Sequence, residues 1–200
     1  MVIKIKKGVS KVNLTERDID VVDFINMYKA ATTKMLVDLM YNNYNVGTRR
    51  LKMLTDGGYI KRSRISTGEW LYHIDESNDL LLKNFMITKF IVSLMERGVD
   101  VEEVYYGKKI GDITVDAQFI VSYKGKKHML LVESNIIGGF NSDKYTKLYM
   151  DNKSIKGYIP KVVIIDNKSI DTETPYSLVR INRDMSNIDK MLCELEGIEC

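Results

Sequence analysis

Apolar residues recur at helical spacing in three short segments near the start of the chain. The segments are RDIDVVDFINMYKA, the residues from about Thr33 to Met40, and VGTRRLKMLTDGG. We expect the helices to be capped by Thr15, by Thr32 or Thr33, and by Asn45. The period then changes to that of β-strands over residues 59–65 and 70–74, with a turn between them. The pattern therefore predicts three helices followed by a β-hairpin.

Beyond residue 76 the pattern restarts with a longer apolar helix and a series of strands. The predicted elements are a helix over 80–97, strands over 101–106, 113–123 and 128–134, a helix over 142–151, a strand over 161–166 and a last helix over 185–196. Residues 107–111 are expected to form a turn. The strand over 128–134 is apolar throughout its centre, which is typical of a strand inside a sheet. The order αβββαβ predicts a second domain over 77–200, following a first domain over 1–76.

The charge of the chain is distributed unevenly between these two parts. Residues 1–75 carry a net charge of +5 and residues 76–200 a net charge of −2. This asymmetry favours an N-terminal part that meets a polyanion. No apolar run reaches membrane-spanning length, so no membrane partner is expected. Cys193 and Cys200 have neither a second cysteine pair nor a histidine cluster nearby, which supports neither a disulfide framework nor a zinc site and favours a reducing, cytoplasmic location.

Three helices and a hairpin resemble the winged helix-turn-helix domain, in which the third helix enters the major groove of DNA and the hairpin lies along the neighbouring backbone. Polar and cationic residues stand on both of these elements. They are Thr48, Arg49, Arg50 and Lys52 on the third helix and Lys61, Arg62 and Arg64 on the hairpin. Arginine is suited to guanine O6 and N7, and cationic side chains on the hairpin are suited to phosphates. We expect these seven residues to bind double-stranded DNA; the alternative is an ordinary solvated face.

The second domain resembles the PD-(D/E)XK, or restriction-endonuclease-like, fold, which makes the whole chain α+β or α/β. Asp116 in IGDITVDAQF and Glu133 in HMLLVESNI stand on neighbouring predicted strands. Two such carboxylates can hold Mg²⁺ or Mn²⁺, which activates water. Active enzymes of this fold place a lysine where this chain has Asn135, so we expect a catalytically degenerate domain with no cofactor. Lys144 or Lys147, on the next helix, could replace that lysine in an active site.

The whole chain from about Leu14 to Ile165 resembles the replication-relaxation family of plasmids, integrative elements and phages. The resemblance is carried by LTERDIDVVDFI, by TRRLKMLTDGGYIKR and by VDAQF with LLVESN. It implies DNA binding linked to the replication, mobilisation or regulation of a mobile element, with other replication or mobilisation proteins as partners. The family typically has an acidic residue where this chain has Asn135.

Three functions follow from these observations. The first is a sequence-specific DNA-binding homodimer, with its dimer contact on the helix over 80–97 or on the last helix, although the apolar face of the former is expected to cover its own sheet. The second is a metal-dependent endonuclease or nickase that uses Asp116 and Glu133 as metal ligands and Lys144 as a catalytic lysine. The third is a transcriptional repressor with an effector pocket, for which no sequence feature speaks.

Overall fold

The computed structural model describes residues 13–65, 68–74, 77–135, 140–151, 155, 157–167 and 173–199. The first two residues of the predicted hairpin turn over 66–69, the lysine-bearing residues 1–12 and the predicted boundary at residue 76 lie outside them. The fold is mixed α and β, and the chain divides into two compact units, Met1–Leu81 and Leu82–Cys200. The division falls inside a long helix, which is numbered α4 below.

The first unit contains the three predicted helices and the predicted hairpin, together with one unpredicted strand. Its elements are α1 (Glu16–Tyr28), β1 (Ala30–Thr32), α2 (Thr33–Met40), α3 (Tyr44–Asp56), β2 (Lys61–Arg64) and β3 (Trp70–His73). All three strands are antiparallel, in the order β1-β3-β2. Sequence patterning missed β1 because two alanines continue the helical pattern of α1 and the strand is only three residues long.

Side-chain caps define where the helices of this unit begin. The Thr15 hydroxyl and the Asp18 carboxylate form a capping box at the start of α1, and Thr32 caps α2, as predicted. The predicted cap of α3 is wrong by two residues. The Asn43 side chain accepts the backbone N–H groups of Asn45 and Val46, so α3 begins at Tyr44. The helix therefore begins two residues earlier than the sequence pattern indicates, with the exposed residues Tyr44 and Asn45.

Gly47 allows α3 to lie close against α2. A β-carbon at this position would come within 2.7 Å of the Val37 side chain and 3.1 Å of the Tyr41 ring. Separations this short are not tolerated, so a side chain at residue 47 would force the two helices apart. Leu51 and Leu54, further along α3, are fully buried. The inner face of α3 is thereby fixed, and its opposite face remains on the surface.

The second unit is built on a five-stranded sheet. Its elements are α4 (Asn78–Met95), which begins in the first unit, β4 (Asp100–Ile110), β5 (Ile113–Tyr123), β6 (Lys126–Ser134), α5 (Ser142–Asp151), β7 (Lys161–Ile165), β8 (Leu178–Ile181) and α6 (Asp189–Glu196). The strand order is β4-β5-β6-β7-β8. The pairs from β4 to β6 are antiparallel, and β6, β7 and β8 are parallel. The predicted order αβββαβ is present, with β8 added after it.

The structure corrects two element predictions in this unit. The expected turn over 107–111 is wrong, because β4 continues to Ile110 and pairs there with Ile113. The turn is confined to Gly111 and Asp112. The last helix begins at Asp189 rather than at residue 185. The four-residue strand β8 was not predicted, since it is too short to show a period of its own.

The two helices that the sequence offers for a dimer contact both have buried apolar residues. The apolar residues of α4 that marked it in the sequence, among them Ile87, Phe90 and Ile91, are completely buried within the chain. They are therefore not available as a dimer contact. On α6, Met191 and Leu195 are buried as well. Cys193 on α6 is disulfide-bonded, although the cysteine pattern of the sequence indicates no disulfide framework. No helix in the described part of the chain is long and apolar enough to cross a membrane.

Candidate nucleic-acid interface and acid–base cluster

The outer face of α3 and one face of the hairpin line a shared open groove of about 440 Å³. Its lining residues are Thr33, Tyr44, Thr48, Arg49, Lys52, Arg62, Trp70 and Tyr72. Four of them are predicted DNA-binding residues, which the fold brings together from two elements. The other lining residues are aromatic or carry a hydroxyl, and no residue of the set is acidic. The groove thus combines cationic and aromatic side chains, the two types that contact phosphates and bases.

The alternation of side chains along the hairpin places Arg62 and Arg64 beside two aromatic rings. Arg62 pairs across the strands with Tyr72, and Arg64 pairs with Trp70, so all four side chains share one face. The Arg62 guanidinium lies 4.4 Å from the centre of the Trp70 ring. That of Arg64 lies 5.9 Å away and donates from Nε to the Gly68 carbonyl at 3.1 Å. Stacking on Trp70 therefore holds both arginines at the edge of the groove.

Lys61 belongs to the opposite face of the hairpin. It pairs with His73, and the next residue on its face, Ser63, lies within 3.0 Å of the His73 ring. Leu71, which also points to that side, is completely buried. The prediction that Lys61 joins the DNA-binding surface conflicts with this register, because a β-strand presents successive side chains to opposite faces.

Arg50 is also directed away from the groove. Its guanidinium forms an ion pair with Asp18, with only 16% of the Arg50 side chain and none of the Asp18 side chain exposed. Its Nε donates to Asp18 at 3.0 Å, and a terminal nitrogen donates to the Asn13 carbonyl at 3.1 Å. Arg50 therefore joins α3 to α1 inside the unit, and its assignment as a DNA-binding residue is corrected to a structural role.

The buried Asp18 carboxylate accepts hydrogen bonds from three parts of the unit. The Tyr41 hydroxyl donates to it at 3.1 Å, and the backbone N–H and hydroxyl of Thr15 donate at 2.7 and 2.8 Å. Burial alone would raise the pKa of Asp18, but the hydrogen bonds from Arg50, Thr15 and Tyr41 outweigh it and lower the pKa to about 2. Burial and the Asp18 charge raise the pKa of Tyr41. The carboxylate is thus held ionised at the junction of α1, α2 and α3.

The α3 side of the groove presents hydrogen-bonding and charged groups with little steric constraint. The Thr48 hydroxyl donates to the Tyr44 carbonyl at 3.0 Å, which leaves its oxygen free to accept. Lys52 is 3.2 Å from Asp56, one turn further along, in an exposed pair. Arg49 is exposed. An exposed pair of this kind is weak, so Lys52 can exchange Asp56 for a phosphate at small cost.

Sequence reasoning missed the aromatic residues of the groove. Tyr44 at the start of α3 is 58% exposed, and Trp70 is 38% exposed. The signal was present in the hairpin, since Arg62 and Arg64 alternate in step with Trp70 and Tyr72. Recognising it requires the register of the two strands, which becomes known only from the position of the turn.

The second predicted site lies where β5 and β6 diverge. Asp116 and Glu133 come one residue beyond the paired positions Ala117 and Val132. One oxygen of Asp116 accepts the backbone N–H of Ser134 at 2.9 Å. The negative charge of Asp116 acts on Glu133 and contributes to its raised pKa. The two carboxylates therefore lie near enough to interact electrostatically, and that they share one pocket stays a prediction.

Each of these carboxylates is paired with a lysine from a neighbouring helix. Lys83 on α4 donates to Asp116 at 2.7 Å. Lys144 on α5 and the Tyr145 hydroxyl both donate to one oxygen of Glu133. Burial raises the pKa of Glu133 more than these two donors lower it. The expected proximity of Lys144 to Glu133 is present, whereas Lys83 was not anticipated.

Lys147, the alternative to Lys144, lies elsewhere. Its ammonium is 3.4 Å from Asp112 in a pair whose side chains are mostly exposed. It therefore takes no part in the cluster around Glu133. Asn135 does not supply a positive charge either. Its backbone N–H donates to the Ile165 carbonyl at 3.1 Å, and its buried side-chain nitrogen has no hydrogen-bond partner among the residues that the structure describes.

These residues do not fit a divalent-cation site well. Two carboxylates and two ammonium groups give the cluster a formal charge of zero, and the backbone of Ser134 occupies one Asp116 oxygen. A cation would have to compete with Lys83 for Asp116 and with Lys144 for the Glu133 oxygen that it contacts, which leaves the second Glu133 oxygen as the one not engaged by a hydrogen bond among the described residues. Within the described residues, no group of three or more His, Cys, Asp or Glu side chains could hold a metal ion. The arrangement is that of a neutral, hydrogen-bonded acid–base cluster joining two helices to the sheet.

No family model, no curated protein and no solved structure matches this chain.

Proposed function

We propose that the protein binds double-stranded DNA through the groove between α3 and the hairpin. The observation that carries this proposal is the joint lining of one open surface by Arg49 and Lys52 from α3 and by Arg62 from the hairpin, with no acidic residue among the lining. The order of helices and strands supports describing the first unit as a winged helix. In that arrangement α3 enters the major groove and the hairpin follows the backbone.

The two sides of the groove have different parts in this proposal. Thr48 and Arg49 extend from the exposed face of α3, where they can reach base edges, and a forked guanidinium matches the two acceptors of guanine. Arg62 and Arg64 are held on the Trp70 ring, where their charge suits phosphates. The helix therefore supplies sequence preference, and the hairpin supplies affinity that depends on salt.

Fluorescence anisotropy with a labelled duplex, titrated at several salt concentrations, tests this division. We expect Arg62→Ala to weaken binding to all sequences and to reduce the salt slope by about one. Arg49→Ala is expected to cost about 1–3 kcal/mol on a selected site and to relax sequence preference. Lys61→Ala is the matched control, because it removes a cation from the same strand but from the opposite face. Equal losses for Arg62→Ala and Lys61→Ala would contradict the proposal.

A role in the replication, mobilisation or regulation of a mobile element is proposed on the resemblance to the replication-relaxation family alone. If the resemblance holds, sites selected from the DNA of the encoding element are bound more tightly than random duplex. A cytoplasmic location belongs to the same proposal.

A nuclease is the second candidate, favoured by the proximity of Asp116, Glu133 and Lys144. The pairing of both carboxylates with lysines argues against it, and we expect supercoiled plasmid to remain intact in Mg²⁺ or Mn²⁺. Cleavage by the natural chain that is lost in Asp116→Ala/Glu133→Ala would establish the nuclease instead.

A further inference from the structure

The strand β4 forms one edge of the five-stranded sheet and is long for such a position. It spans eleven residues and pairs on one side with β5. Among the described residues, no backbone hydrogen bond joins its other side to another segment. Asp100, Glu102, Glu103, Tyr105 and Lys109 are exposed. An edge of this kind offers a row of N–H and C=O groups to a further strand.

The charges along β4 are sorted by sign. Its first half carries Asp100, Glu102 and Glu103, and its second half carries Lys108 and Lys109. Two copies of β4 placed antiparallel bring the acidic half of each against the basic half of the other. Two copies placed parallel would bring like charges together. The strand is therefore electrostatically complementary to itself in one orientation only.

A two-fold axis through paired antiparallel strands keeps every side chain on its own face, so residues that lie opposite each other must share a face. The register that meets this condition places Glu103 opposite Lys109 of the second copy. The same register brings Tyr106 of each copy to the two-fold axis, and the charge pair occurs twice by symmetry. In the single chain, charged side chains of β4 contact Tyr105. The Tyr105 hydroxyl donates to Glu103 at 3.0 Å, and the Lys108 ammonium lies 4.7 Å from the centre of the Tyr105 ring. Glu103 and Lys109 are exposed on this edge strand and are accessible to a partner strand.

We propose that two copies of this chain associate through antiparallel pairing of their β4 strands, which joins their sheets into one continuous sheet. The interface is isologous, since the same residues face each other across a two-fold axis. This inference does not depend on DNA binding. It differs from the dimer contacts predicted on α4 and α6, where Ile87, Phe90 and Ile91 and Met191 and Leu195 are buried within the chain.

Sedimentation equilibrium of the full chain without DNA measures the association. Lys108→Glu/Lys109→Glu makes β4 wholly acidic, and Asp100→Lys/Glu103→Lys makes it mainly basic while keeping the ion pair of Glu102 with Lys127. We expect each variant alone to have a dimer dissociation constant raised about ten-fold or more. An equimolar mixture of the two variants is expected to recover dimers. High salt is expected to weaken the natural dimer.

Lys126→Glu/Lys190→Glu is the matched control, because it makes the same change in net charge at exposed positions outside β4. We expect this variant to dimerise as the natural chain does. Circular dichroism of every variant establishes that the fold is retained. A natural chain that stays monomeric at all accessible concentrations overturns the proposal, and so does a mixture of the opposite variants that fails to associate.

Discussion

Replacing Asp18 by Asn removes the negative charge that Arg50 and Tyr41 contact inside the first unit. The Asp18 side chain is fully buried, and most of the Arg50 side chain is buried with it. Loss of one member of a buried ion pair leaves the other charge without compensation, which is strongly destabilising. Because Arg50 keeps some access to water and Asn retains part of the capping interaction, we expect Asp18→Asn to lower the free energy of unfolding by about 2–4 kcal/mol.

The same interaction predicts how stability depends on pH. The pKa of Asp18 is about 2 in the folded chain, against 3.8 as the ordinary value. A lowered folded pKa means that the ionised form favours folding, so its contribution is complete above pH 3.8 and is lost as the pH falls towards 2. That contribution is about 2 kcal/mol. The difference in stability between the natural chain and Asp18→Asn is therefore expected to narrow by about this amount between pH 5 and pH 2.

Urea unfolding followed by tryptophan fluorescence measures the stability of the unit that contains Asp18. Trp70 is the single tryptophan of the chain and lies in the same unit as Asp18. Asp38→Asn is a matched control, because the ion pair of Asp38 with Lys34 is exposed and such pairs contribute less than about 1 kcal/mol. The reasoning is refuted if Asp18→Asn behaves like the control, or if the difference in stability does not change with pH.

Two further predictions concern packing and the acid–base cluster. Gly47→Ala is expected to lower the free energy of unfolding by about 1–3 kcal/mol and to weaken DNA binding, because the added methyl group displaces α3 from α2. Unchanged stability in the tryptophan-fluorescence assay would contradict this prediction, since it would show that the helices can adjust. Lys144→Met is expected to cost about 1–3 kcal/mol at neutral pH, since it leaves Glu133 buried with less compensation. That loss of stability should shrink as the pH falls and Glu133 takes up a proton, and Lys144→Met/Glu133→Gln should recover part of the stability. Chemical denaturation followed by circular dichroism measures both effects. A loss of stability that does not depend on pH would contradict the prediction.

The elements of this fold were predictable where local signals are strong. The cap at Thr15, the glycines that end α3 and the long apolar helix α4 all follow from residues within one or two turns. The two missed strands, β1 and β8, are short and depend on pairing with distant segments. The turn expected at Gly107 was misplaced because glycine usually interrupts a strand, whereas here β4 continues through a positive backbone angle at that residue.

The residues of the candidate sites were likewise predictable only where the signal is local. Thr48, Arg49 and Lys52 follow from helical spacing, and they do line the groove. Arg50 was assigned to it because nothing near Arg50 in the sequence reveals Asp18, which lies 32 residues earlier. The position of Lys61 follows from strand alternation once the hairpin register is known. Lys83 reaches Asp116 across 33 residues, a contact that no local pattern contains.

A photo-reactive amino acid placed at single positions tests most directly whether DNA lies in the groove. Incorporated in place of Thr48 or of the exposed Tyr44, both of which line the groove, it is expected to cross-link a bound duplex on irradiation. Incorporated in place of Lys61, on the opposite face of the hairpin, it is expected to give no cross-link with DNA. Cross-linking from position 61 but not from positions 44 and 48 would contradict the account.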